Sequence, residues 1–452
     1  MNDVPGFPPR LTVRTTPLPD CPQLLDILPT PRPLAWIQRG EGLVGWGEAA
    51  RLRLPAEDGP SDQQRTARFA RARAWFDELL DAAHVQDTVE RPGCGPVAFG
   101  SFTFDPASAG SVLIVPQIIV GRRDGQAWIT TVVPRTGTEV TDAPAPSPEL
   151  VTGNPAPLGL LRWTTGALGP RRWVHAVAAA VRRIQRGELD KVVLARDQYA
   201  HAADTIDLRT VLKRLTHDFD DCYTFAVDGL VGATPELLLR RAVASTNPGV
   251  TGADATASSG RAATDTDTVS SLVLAGTRPR GASDTEDEKL ADELCASIKD
   301  AEEHRYAVES LRETLAPLCA DITVPGGPEL LRLRNVQHLA SAVRARLRPD
   351  TSTLDVVAAL HPTAAVGGTP TGRALELIRE LEGMDRGRYA GPVGWIDAHG
   401  AGEWGIALRS ALVEGSSARL FAGCGIVAGS DPEAELAEAG SKFRVMRGAL
   451  SD

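Results

Sequence analysis

Arg419 to Lys442 read RLFAGCGIVAGSDPEAELAEAGSK, and the rest of the chain is organised around them. Leu420, Phe421 and Ala422 predict a short apolar strand, and Gly423, Gly425 and Gly429 predict a turn after it. Ser430 or Asp431 is a good N-cap, and Pro432 stands at the first helical position. On the helix that follows, Glu435, Glu438 and Lys442 are spaced i, i+3, i+7 and share one face. Leu436, Ala439, Phe443, Met446 and Leu450 make a neighbouring apolar stripe at a period of about 3.6 residues. One face packs, and the next offers two carboxylates and an amine. Glycines just before a helix N-terminus also let a ligand approach the backbone closely. Acidic first turns equally complement a helix dipole, and E-x-x-E-x-x-x-K is common on solvated helices, so the surrounding chain must decide.

The composition sets bounds. The chain has 452 residues, 42% hydrophobic and 23% charged, as expected of a globular protein with a sizeable core. A net charge of −10 argues against nucleic acid or an anionic membrane as the main partner. MNDVPGFPPR has neither a basic n-region nor an apolar h-region, so no signal peptide is expected. The apolar run from Val112 to Val120 is too short to span a bilayer and is interrupted by Pro116 and Gln117. Six cysteines are scattered without CxxC spacing, which predicts reduced thiols in a cytoplasmic protein rather than a zinc site or a disulfide framework.

Leu34–Ile37 and Leu43–Trp46 predict a hairpin around Arg39 to Gly42, and Gln63 to Ala83 a helix. Strands are expected at Val97 to Phe104, Ser111 to Val120 and Ala127 to Val133, followed by a Pro- and Thr-rich linker from Thr136 to Pro157. A helix from Arg171 ends at Gly187, KVVLAR at 191–196 is a strand, and a second hairpin turns at Asp228-Gly229. Asn247 to Ser270 has almost no apolar bulk and predicts a flexible surface insertion. Leu290 to Leu315 predicts one long helix with Leu294, Ile298 and Val308 inward and Glu303 off the apolar stripe. Arg373 to Leu381 predicts a helix ended by Gly383, with strands after it near Gly391–Asp397, Glu403–Ala411 and Ala418–Ala422. Hairpins with helices between them indicate an α/β (α+β) fold, a single large domain of mainly antiparallel sheets covered by helices. Within it, residues 1–150 are expected to form the N-terminal part of the scaffold, and 158–452 the region that carries the candidate chemistry. No GxGxxG, Walker, G-x-S-x-G or HExxH pattern is present.

Two titratable residues stand out. Lys191 opens an otherwise apolar strand; such a lysine is either solvated or, in a drier pocket, a base. Glu236, in GATPE, lies between a tight turn and Leu237-Leu238-Leu239; it is either structurally paired or a desolvated general acid. Glu302 and Glu303 point apart on a helix, so one at most joins a given site, and His304 reads as a helix hydrogen-bonder.

Taken together, these stretches resemble the chorismate-utilising enzymes, the family of the anthranilate, aminodeoxychorismate, salicylate and isochorismate synthases. The resemblance runs from about Trp173 to Lys442. It rests on KVVLAR at Lys191, ATPELL around Glu236, LAGTRPRG at Leu274, EH at Glu303, VQHL at Val336, HPTAAVGG at His361, YAGPVGW at Tyr389, ALRSA at Arg409 and AGCGIVAGSDPEAELAE before Lys442. It implies a chorismate site and one Mg²⁺, held by Glu303 and Glu435 directly and by Glu438, with Asp300, through water. Gly276, Thr277, Ala365, Tyr389, Arg409, Gly423 and Lys442 match substrate-binding positions, and His338 a histidine near the reacting ring. The lysine at 191, HPTAAVGG and GPVGW resemble the isochorismate synthases, which use water as nucleophile, with Lys191 as base and Glu236 as acid. The product would feed menaquinone or catechol siderophore synthesis, and a monomer without a glutaminase subunit is expected. GTRPRG is closer to the ammonia-using branch. A salicylate synthase, an ammonia-using synthase and a non-catalytic chorismate-binding protein are therefore the alternatives.

Overall fold

The computed structural model describes residues 8–30, 32–57, 62–135, 154–243, 267–324, 326–334 and 336–451. Their strands form a 13-stranded and a 10-stranded sheet. Pairing is antiparallel throughout the described ladders except between Leu11–Pro17 and His84–Asp87. Strands from before residue 150 and after residue 158 share both sheets: Leu34–Gln38 pairs with Tyr223–Val227, and Val97–Ser101 with Pro392–Asp397.

Alternation sorts the side chains. In Leu34–Gln38, Trp36 enters the core that also holds Phe99, Trp395 and Trp404 of the second sheet, while Ala35 and Ile37 point to the other face. That outer face is covered by the helices Leu208–Asp218 and Pro432–Leu450, whose Val211, Leu215, Phe443 and Met446 are buried on it. The final helix begins as its sequence indicates. The Asp431 carboxylate accepts from the Ala434 N–H at 2.8 Å, and Pro432 follows where its missing N–H costs nothing.

The chain passes between the sheets repeatedly, and two passages lie side by side. Leu230–Thr234 belongs to the first sheet and Leu237–Val243 to the second, with Pro235 and Glu236 between them. Gly402–Ile406 belongs to the second and Ser410–Glu414 to the first, with Ala407, Leu408 and Arg409 between. Ala233 N–H donates to Arg409 O at 3.3 Å and Ile406 N–H to Glu236 O at 3.2 Å, stitching the two passages together. Arg409 turns its corner at φ 44°, a left-handed conformation uncommon for a non-glycine residue.

Several expectations are corrected. Glu403–Ala411 is not one strand, for the reason just given. Ser111–Val120 is likewise two, Ser111–Val115 in the second sheet and Ile118–Arg123 in the first, separated at Pro116. The helix expected over Leu290–Leu315 is two helices, Asp284–Ala296 and Ile298–Leu315, because Ser297 leaves the helical region and caps the second by accepting from Asp300 N–H. Ile298 is consequently 78% exposed rather than inward. Gly423 and Gly425 do not turn the chain; they lie inside the strand Ser417–Ile426. The expected linker falls largely, and the insertion mostly, on residues outside those described. Asp267–Ser270, counted with the insertion, instead pair with Arg240–Val243.

Candidate active site

Lys191 begins the strand Lys191–His201, which pairs along its length with Ser417–Ile426, setting Val193 against Gly425 and Ala195 against Gly423. The two glycines make room. A Cβ at Gly425 would stand 3.0 Å from Lys191 Cε, and one at Gly423 would stand 2.9 Å from Leu194 O and 3.3 Å from Tyr389 Oη. Over this surface lies a cavity of about 120 Å³, lined among others by Ala365, Tyr389, Arg409, Gly423 and Lys442. A larger cleft of about 1660 Å³, bordered by Trp75, Asp207 and Arg388, lies elsewhere and contains none of these residues.

Each lining residue is held by a local cause. Tyr389 stacks on Phe421 with ring centroids 4.9 Å apart, and burial pushes its phenol well above the usual range, so it remains a hydrogen-bond donor. Lys442, nearly three turns into the final helix, donates to Gly423 O at 2.9 Å and lies 2.7 Å from Glu438. The strand passage places Glu236 by the site. It keeps part of its surface accessible, yet burial raises its carboxyl to about 7 against the opposing charges of Arg409 and Lys191.

On the strand Asp267–Pro279, Gly276 takes φ 76° at a bulge, and the register resumes with Thr277 opposite His338. Thr277 Oγ1 lies 2.9 Å from His338 Nδ1, while His338 Nε2 is buried with no protein partner. Burial, together with the charges of Arg409 and Lys442, holds this imidazole down at about 4. It is therefore neutral at pH 7, with one nitrogen left for a ligand.

Three candidate metal ligands lie within 4.8 Å of one another among the described residues: Cys424, Glu435 and Glu438. Burial raises the Glu435 carboxyl, and the charge of Glu438 adds to it, against a hydrogen bond from Ser430. Two crowded carboxylates are a donor set that a hard dication fits. The Cys424 thiol bonds to Glu435 O at 3.4 Å, and burial pushes its pKa far up, so it stays a thiol. Glu303 is exposed and stands outside this group, its Oε1 3.8 Å from Lys191 Nζ. Asp300 is tied to Arg278 at 2.9 Å. His304 bonds to Ser341 Oγ at 2.8 Å and to Ala275 O, which is a structural role.

Sequence reasoning overlooked Cys424, although it sits between the two quoted glycines. It also overlooked Glu382 and Arg386. Their i, i+4 spacing is visible in ELEGMDR, but the same spacing marks countless solvated pairs.

The chorismate binding enzyme family matches residues 37–247 and 262–451. The chain is 32% identical to the isochorismate synthase MenF of Bacillus subtilis, over 86% of this chain and 83% of that one. It is 37% identical to the isochorismate synthase DhbC of the same organism, over 62% and 68%. It is also similar to the solved structure of MenF, the menaquinone-specific isochorismate synthase of Escherichia coli, with a TM-score of 0.73 at 26% identity over 98% of this chain and 95% of that one. With its motifs in order and both long stretches matched, the chain belongs to the chorismate-binding enzymes.

Proposed function

We propose that this chain converts chorismate to isochorismate, and that the product supplies menaquinone or catechol siderophore synthesis. The observation that carries the reading is Glu236: a carboxyl raised to about 7, with Lys191 and Arg409 in electrostatic reach, beside a cavity lined by an arginine, a lysine and a tyrosine. A carboxyl so poised is half protonated near neutrality and can give a proton to a leaving hydroxyl. Water adds at C2, the ring double bonds shift, and the C4–O bond breaks. Lys191 takes the proton from the water, and Glu236 gives its own to the departing hydroxyl. Atoms balance, and the two groups exchange roles in the reverse direction.

Arg409 and Lys442 supply positive charge for the substrate's carboxylates, and neutral His338 offers Nε2 to the ring substituents. Glu435, with Glu438 and Glu303, would hold a magnesium ion, whose charge would neutralise a substrate carboxylate. The lysine at 191 favours water over ammonia as nucleophile, so no glutaminase subunit is needed. A monomer in the cytoplasm is the state proposed; among the described residues, no helix is long and apolar enough to cross a membrane.

The test is chromatography of products after incubating the purified chain with chorismate and magnesium. Isochorismate is expected, and chelation by EDTA should stop its formation until magnesium is returned. Salicylate with pyruvate, or an aminated product that needs ammonium, would instead assign one of the sister reactions. No turnover at all would leave a chorismate-binding protein.

A further inference from the structure

One edge of the lysine strand lacks a continuous neighbour, and two side chains stand in the gap. Gly368–Thr369 pairs with Lys191 and Val192, and Arg162–Thr165 pairs with Gln198–His201. Between them, Val193 N–H donates to Gly367 O at 2.9 Å, Ala195 N–H donates to Glu382 Oε1 at 2.7 Å, and Val193 O accepts from Arg386 Nη2 at 2.6 Å. Arg386 Nη1 donates to Val366 O at 2.9 Å, and its Nε to Glu382 Oε2 at 2.9 Å. The arginine therefore joins two backbone segments through one planar group. The first is the strand that begins with Lys191. The second is the loop after His361 that carries Ala365.

Both side chains are almost wholly buried, at 2% and 1% exposure, with the guanidinium 4.2 Å above the Phe104 ring. Arg386 also borders the cavity, together with Val193, Ala365, Val366 and Tyr389. A buried ion pair adds little stability over an apolar pair of the same volume, so stability alone does not explain it. Resting on the isochorismate synthase reading, we propose that Glu382 and Arg386 are a positioning pair. They fix the spacing between the lysine strand and the Ala365 loop, and with it the width of the substrate cavity. Lysine cannot replace the arginine, because a single ammonium lacks the planar fork that reaches both carbonyls and the carboxylate.

The experiment uses the full chain with magnesium, comparing wild type with Arg386→Lys, Arg386→Ala and Glu382→Gln, with kcat taken per folded molecule. Misplacement by about 1 Å can cost two orders of magnitude, so Arg386→Lys should lose roughly 10- to 100-fold in kcat while KM moves less than about threefold. Guanidinium ion, reaching the site through the cavity, should restore part of the kcat of Arg386→Ala, and methylammonium should not. Amide hydrogen exchange should speed up at 191–196 and 363–369 while the second sheet stays protected. Wild-type kinetics in Arg386→Lys would overturn the proposal. A raised KM at constant kcat would also overturn it, since that marks a direct substrate contact. Protection lost across the whole chain would make the pair a plain stability element. If wild type does not turn over chorismate, the functional reading falls by itself. Hydrogen exchange then decides the pair alone, unchanged protection at 193 and 195 counting against it.

Discussion

Glu236 is a cost to the folded chain. Its folded pKa, about 7, lies above the ordinary carboxyl value of 4.5. The native state thus holds a proton that the unfolded chain releases. Stability from this group is complete below about pH 4.5 and is lost as pH rises through 7, a loss on the order of 3 kcal/mol by pH 8. Glu236→Gln, which cannot ionise, should therefore melt no lower than wild type at pH 8, with the advantage vanishing below about pH 4. Turnover in both directions should fall by roughly 10²–10⁴-fold, and Lys191→Ala should do the same. In wild type, kcat/KM should decline above about pH 7 as Glu236 loses its proton. A Gln variant that melts well below wild type at pH 8 would show the carboxylate to be paired rather than desolvated. GATPELLL announced a carboxyl beside an apolar run, but not that burial dominates it with no cation among the described residues hydrogen-bonded to its side chain, which only the packing reveals. Glu382 and Arg386 were beyond the sequence for the same reason: what they bond to lies on distant segments.

At the scale of elements, the misreadings share a cause. Ile298 follows Leu294 at helical spacing, so the apolar period runs unbroken through Ser297, although the helix does not. Trp404, Ile406 and Leu408 alternate as in a single strand, yet the passage between sheets follows at once, marked by the φ of Arg409, which composition does not betray. What was legible was turn and cap chemistry: Asp228-Gly229, Gly383 and Asp431-Pro432 all do what their residue types dictate. The strand Ser417–Ile426 offers a test. Gly425 has ordinary strand geometry, and a methyl group there would stand 3.0 Å from Lys191 Cε and 3.6 Å from its Nζ. Gly425→Ala should therefore keep its melting temperature within a few degrees while losing at least about tenfold in kcat, since the amine is pushed aside. Full activity in a folded Gly425→Ala protein would mean that Lys191 works from another position.

For the whole molecule, the insertion and the weave between sheets matter most. Val243 and Asp267 are register partners on adjacent antiparallel strands, so the chain ends flanking residues 244–266 already stand at hairpin distance. Replacing 245–265 with a short turn should leave far-ultraviolet circular dichroism and chorismate turnover near wild type, because the length of a connection between paired strand ends contributes little beyond loop entropy. A soluble but inactive product would assign that segment a part in the chemistry. The passages between sheets have a consequence of a different kind. A sandwich whose halves were contiguous in sequence could lose one half and keep the other. Here Thr234 and Leu237, or Ile406 and Ser410, are a few residues apart and yet belong to opposite sheets. Neither sheet can melt without dragging strands out of its counterpart, so a scanning calorimeter should record one heat-absorption peak rather than two, with calorimetric and van't Hoff enthalpies in agreement.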